Sequence, residues 1–216
     1  MTLLARATLV LVVVGTFANA EPPKPRVDWE RGLVVATGTG VADRHAPSPE
    51  IARGTARRGA EDAARKQLAD TVATLPLAAG GHVSDKLADA AIKARVDAAV
   101  AHAITISADP ETDGAWTVLL AVPIEAVRQA ITGPRTVASG KGGDHVAPAV
   151  IVDGATVTPA VGWTIHGVAA PTLFVKAVPA WAKDAPHVKA RGAANGAIDA
   201  DATADNAATV FVVVVP

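Results

Sequence analysis

The stretch Gly32-Leu33-Val34-Val35-Ala36-Thr37-Gly38-Thr39-Gly40, with the alanine-rich segment that runs from Ser48-Pro49-Glu50 to Leu75, decides the fold. Leu33 to Thr37 is a short apolar, β-prone run behind a glycine, which predicts a strand. Gly38, Thr39 and Gly40 are expected to break it, with glycine serving a sharp corner. Pro47 and Pro49 keep the following residues irregular, because a residue before proline avoids the helical region. Ser48 is a good helix cap and Pro49 suits the first helical position. Glu50 places negative charge at the positive end of the helix dipole. A helix is predicted from about Pro49 to Leu75.

On that helix Ala52, Ala56, Ala60, Ala63 and Ala64 recur at helical spacing, and Leu68, Val72 and Leu75 continue the face. The other side alternates in charge through Arg57–Glu61, Arg58–Asp62, Glu61–Arg65, Asp62–Lys66 and Lys66–Asp70. Pairs four apart are worth only about 0.2–0.5 kcal/mol each. The alanines matter more, because small side chains let a helix backbone approach a sheet closely.

Outward from this unit, the N-terminus reads as an export signal. Arg6 gives a positive start, Leu9 to Val14 are continuously apolar, and Ala18-Asn19-Ala20 supplies small residues at a cleavage site. Residues 1–20 are therefore expected to be removed after Ala20, with 21–26 a mobile leader, leaving the chain periplasmic or secreted. The apolar run is short of the roughly 20 residues that span a bilayer. The chain has no cysteine, so neither a disulfide nor a lipidated N-terminal cysteine is expected. A formal net charge of −1 gives no electrostatic case for nucleic acid.

Beyond Leu75, Gly80-Gly81 marks a loop and Ser84 is expected to cap a second helix over about Asp85 to Val100. Its apolar side would hold Leu87, Ala91, Ile92, Ala94, Val96, Ala98 and Ala99. Ile104 to Ala108 and Trp116 to Val122 alternate as strands and flank a turn-rich Asp109 to Gly114, which predicts a hairpin. The second of these strands is apolar on both faces and should be central. Pro123 ends it, and Ile124 to Ile131 should be a short helix. The fold class is α+β: a small antiparallel or mixed sheet covered by helices over 27–131, a Gly/Pro-rich linker at 132–148, then a smaller β-rich region at 149–216. In that region Ala149–Val152, Val161–His166 and Leu173–Ala177 read as short strands. Arg191 to Asp205 reads as a polar, Ala/Gly-rich stretch. Val210 to Val215 has no alternation, so it is expected to be buried on both faces.

These residues resemble a family of bacterial envelope proteins, the Helicobacter-type outer-membrane lipoprotein family, which shares a domain with the N-terminal part of flagellar assembly protein T. The resemblance is carried by Val27-Asp28-Trp29, Gly32, Ala36 to Gly40, the Ala/Arg helix with Ala60, Asp62, Ala63 and Leu68, Asp113-Gly114 and Val118 to Pro123. It continues through Val150 to Gly154, Pro159-Ala160, Ala180-Trp181-Ala182-Lys183-Asp184 and the closing valines. It implies a non-enzymatic protein of the periplasm or outer membrane, in some relatives linked to flagellum or envelope assembly. The chain departs from that pattern in lacking a lipid-accepting cysteine.

The chemistry-bearing residues point the same way. Gly38-x-Gly40 after a strand invites a nucleotide-loop reading, but Asp43 stands at the third glycine position and the helix starts some ten residues late. Among His45, His82, His102, His145, His166 and His187 there is no paired ligand spacing, although Asp43 and His45 are close. No Gly-x-Ser-x-Gly occurs, and Glu61 and Asp62 read as a solvated helix face. Trp116 reads as core, while Trp29 and Trp181 flank irregular segments and are the candidate partner-contact residues. No catalytic, cofactor or metal residue is expected. The expected function is that of an exported, non-enzymatic envelope protein that contacts another envelope protein. The alternative is an exported enzyme or metal-binding protein with a site assembled from sequence-distant residues.

Overall fold

A computed structural model describes residues 23–134, 149–200 and 210–216. The predicted signal segment and most of the predicted linker lie outside these residues. Pro23 to Pro25 are exposed and irregular, but Arg26, expected in the leader, already belongs to β1 (Arg26–Asp28). β1 pairs antiparallel with β2 (Leu33–Gly40), which is followed by α1 (Pro49–Ala73). The expected corner at Gly38 to Gly40 is not there: the strand runs through both glycines, and neither has a positive φ. The reason for glycine is α1. A Cβ on Gly38 would fall within 3.0 Å of the backbone of Ala60 and Ala64, and one on Gly40 would do the same at Ala56 and Ala60.

Helix α1 starts where expected, with the Ser48 hydroxyl accepting from the Ile51 N–H at 3.3 Å. Its buried face is Ala56, Ala60, Ala64, Leu68 and Val72. Of the predicted charge pairs, Arg57–Glu61 and Glu61–Arg65 form at 3.1 and 3.3 Å, while Asp62 turns to Arg65 instead. All are partly exposed, so together they add little beside the buried leucine and valines, each worth about 1.5–3 kcal/mol.

The predicted second helix is two. α2 (Val83–Lys86) is one turn, with Asp85 accepting from the His82 N–H at 2.8 Å. α3 (Ala90–Ala101) restarts on Asp89, whose carboxylate accepts from the Ala91 and Ile92 N–H groups. Asp89 thus takes the capping role expected of Ser84. The predicted apolar side of α3 is also narrower than expected. Val96 and Val100 are buried, but Ala91, Ala94 and Ala98 face solvent. A methyl group is tolerated in either place, so alanine spacing does not report burial.

β3 (Ile104–Pro110) and β4 (Trp116–Pro123) form the predicted hairpin, closed through Gly114 at positive φ. β4 also pairs with β2 over its whole length, so the antiparallel sheet runs β1-β2-β4-β3 with β4 interior. α4 (Ile124–Thr132) follows Pro123 directly. Val34, Val118, Leu120 and Val122 of the sheet share one core with residues of α1, α3 and α4, so the helices cover a single face.

The rest of the described chain builds a second sheet. β5 (Ala149–Asp153), β6 (Thr164–Ile165), β7 (Val168–Ala169), β8 (Thr172–Val175), β9 (His187–Ala194), β10 (Ala197–Ala200) and β11 (Val210–Val214) lie in the order β7-β6-β10-β9-β5-β11-β8. β8, β11, β5 and β9 are mutually parallel. The closing valine run is interior as expected, with Phe211 and Val213 in one core and Val212 in the other. Of Arg191 to Asp205, expected as a polar, Ala/Gly-rich stretch, residues 201–205 lie outside the described residues and the remainder is largely a β-hairpin. Asn195 and Gly196 both have positive φ and turn β9 into β10. That geometry is the tight two-residue turn that matches strand twist. The molecule is α+β, with one antiparallel and one mixed sheet. Among the described residues no helix is long and apolar enough to cross a membrane.

The two lobes join along a seam. The Phe174 N–H donates to the Trp29 carbonyl at 3.1 Å, and the two rings meet edge to face at 5.8 Å. On the other side Val161 donates to the Pro76 carbonyl at 2.8 Å and accepts from the Ala78 N–H at 2.9 Å. Val161, from the second lobe, is buried in the core of the first.

Candidate functional site

The two tryptophans expected at a partner surface have different fates. Trp29 is half-buried and packs against both cores, so its ring is engaged within the chain. Trp181 is 61% exposed. It sits on a 3-10 turn, Ala180–Ala182, entered from Pro179. Ala182 beside it is buried with Ile151 and Val212, and its N–H donates to the Pro179 carbonyl at 2.9 Å. The turn is therefore anchored from below while its indole stands in solvent. Trp116, expected in the core, is only partly buried: it packs against the edge of the first core beneath the Arg57 guanidinium, 5.5 Å from the ring centre.

The histidines divide similarly. The Asp43 carboxylate accepts from the backbone N–H of His45, so their proximity builds a turn. His187 and Asp153 were not paired by the sequence reading. They start β9 and end β5, in parallel register two residues apart, and meet at 2.6 Å on the surface. Such a pair supplies two of the three or four protein ligands of a zinc site. Among the described residues no group of three or more His, Asp or Glu converges.

A cleft of about 180 Å³ opens along the seam between the lobes. Leu33, Ile124, Val161 and Leu173 contribute apolar wall, and Arg31, Glu125 and Arg128 contribute charge. Arg128 is the one charged residue buried among the described residues, at 4% exposure. Glu125 accepts from its Nε and Nη2 at 2.7 and 2.6 Å, and the Thr132 hydroxyl accepts from Nη1 at 3.0 Å. A two-point Arg–carboxylate pair of this kind is rigid as well as strong. The first turn of α4 opens on the same cleft. Its initial N–H, on Ile124, donates to the Gly32 carbonyl at 2.8 Å, and no side chain caps it. Arg31 stands at the rim with its side chain 76% exposed. Nothing in the sequence joins these residues: they come from four separate segments, and only the apolar surroundings of Arg128 hint at burial.

Compared with protein-family models and with curated proteins, the chain matches none.

Proposed function

We propose that this is an exported, non-enzymatic cell-envelope protein that acts by binding another envelope protein. The observation that carries the reading is Trp181, a large aromatic side chain held in solvent on a turn whose next residue is locked into the core. Exposed tryptophan on rigid backbone offers contact area at little cost in ordering, and tryptophan is enriched among residues that dominate binding energy. The expected export signal puts such a surface outside the cytoplasm. The resemblance to the Helicobacter-type outer-membrane lipoprotein family adds a role in envelope or flagellum assembly.

Placing a photo-crosslinking residue at position 181, and at Lys189 as an exposed control, tests this in intact cells. One discrete adduct at 181 and none at 189 is expected. Trp181→Ala should lose co-purification of that same protein while changing stability by less than about 0.5 kcal/mol, as surface substitutions do. Absence of an adduct at 181, or an enzymatic activity that follows the protein through repeated purification, would overturn the reading.

A further inference from the structure

We propose that β3 is a self-association edge: it pairs antiparallel with β3 of a second copy of this chain, about a two-fold axis at Thr105. The Trp181 surface plays no part in this. Among the described sheet edges, β1 is three residues long and carries Arg26 and Asp28 at its ends. β7 is two residues long, and on β8 the Phe174 N–H is taken by the Trp29 carbonyl. β3 is seven residues long, and Ala103 to Ala108 holds no charged residue and no proline. Charge, proline and short length are the usual guards of an exposed edge. The one guard β3 has is a bulge between Thr105 and Ser107, which keeps the free ladder short.

The register shows what that edge offers. The Ile124 N–H donates to the Gly32 carbonyl, one step beyond the Leu33–Pro123 pair, so that pair is of the non-bonded kind. Alternation then makes Ala36–Leu120 a bonded pair, and Leu120 turns its N–H and carbonyl toward β2. Thr105 stands opposite Leu120 on the other side, so its own N–H and carbonyl point away from β4. Among the described residues no strand pairs with β3 there. Val118, Leu120 and Val122 face the helices, so Ala121 faces away, and Ile104 opposite it does the same. Ile106 shares this side by the two-residue period of a strand. The two isoleucines are 50% and 53% exposed. Thr105 lies on the helix side and is exposed as well, so the helices do not overhang the edge.

These features fit the strand to itself. An axis at Thr105 sets the two copies of that residue opposite each other, where they exchange two N–H···O bonds. It also sets each Ile104 opposite an Ile106 of the other copy, and β-branched residues pair well across strands. No Lys, Arg, Asp or Glu lies within three positions of Thr105, so like charges do not meet across the axis. The contact is isologous and closes at two copies.

Sedimentation velocity of the purified chain from about 10 μM to about 1 mM tests this, because small interfaces associate in that range. A monomer–dimer equilibrium is expected. Ile104→Lys combined with Ile106→Lys should weaken it at least about tenfold, since lysines would then face one another across the axis. Thr105→Pro should weaken it at least about tenfold too: it removes the outward N–H from both copies and spares the ladder to β4. Ile51→Lys, at an isoleucine of α1 that is 51% exposed, should leave the equilibrium unchanged. In the parent chain, hydrogen exchange at the Thr105 amide should slow severalfold as concentration rises, a readout that requires no variant to fold. A monomer throughout the range, a dimer that survives both β3 variants, or Thr105 exchange that ignores concentration overturns the proposal. A monomer whose Thr105 amide is protected only when envelope extract is added also overturns it, and assigns the edge to a strand of another protein.

Discussion

Gly38 and Gly40 face the backbone of α1 with no side chain between, so close that neither position has room for a Cβ. Three alanines one turn apart, Ala56, Ala60 and Ala64, form the other half of the contact. Gly38→Ala is expected to cost about 3 kcal/mol or more, because the methyl meets main chain that cannot turn aside. Gly54 of the same helix is the control, since a Cβ there meets nothing within 4 Å. Gly54→Ala should stabilise by about 0.5–1 kcal/mol through backbone entropy. Thermal or denaturant unfolding of the two variants checks both signs. The residue pattern was visible in the sequence, but its cause was not. Glycine that makes a corner and glycine that admits a helix are written with the same letter, and only the partner's position tells them apart.

Helix α1 begins where its caps dictate, and that start is testable apart from the rest of the molecule. Ser48→Ala removes the acceptor of the Ile51 N–H and should cost about 1 kcal/mol. Glu50 belongs to the same cap. A hydrogen bond to its own backbone N–H, then one to the Ser48 side chain, holds its carboxyl below the ordinary value of 4.5. A depressed carboxyl stabilises the folded state above its unfolded value and loses that contribution as pH falls through the lower, folded value. Glu50→Gln should therefore be less stable than the parent at neutral pH, and the two unfolding midpoints should converge below about pH 4. Caps, the β3–β4 hairpin and the doubly buried β11 were legible because each is signalled by neighbours in sequence. The β9–β10 hairpin was equally legible in Asn195-Gly196, but its Ala/Gly-rich flanks carry weak strand signal. The break between α2 and α3 was hidden because Asp85 and Asp89 both suit helical and capping positions.

The seam joins the two lobes by main-chain hydrogen bonds on both sides, and Trp29 packs against both cores. Trp29→Ala removes the edge-to-face contact with Phe174 and opens the junction of both cores. The cost should be about 3 kcal/mol, and calorimetry should resolve two transitions where the parent has one. The lobe contacts and the strand order β8-β11-β5-β9 could not be read in advance, because they join residues far apart in the chain without a repeating local pattern. The cleft was hidden for the same reason. The interior place of β11 carries a consequence for biogenesis. Every strand and helix of the first lobe precedes Gly133, but Val161, which completes its core, comes later in the chain. β5 and β8 have no shared neighbour until Val210–Val214 arrives between them. Until then two strands rich in valine, isoleucine and phenylalanine wait with unpaired inner edges, the interval in which an escorting chaperone would matter most.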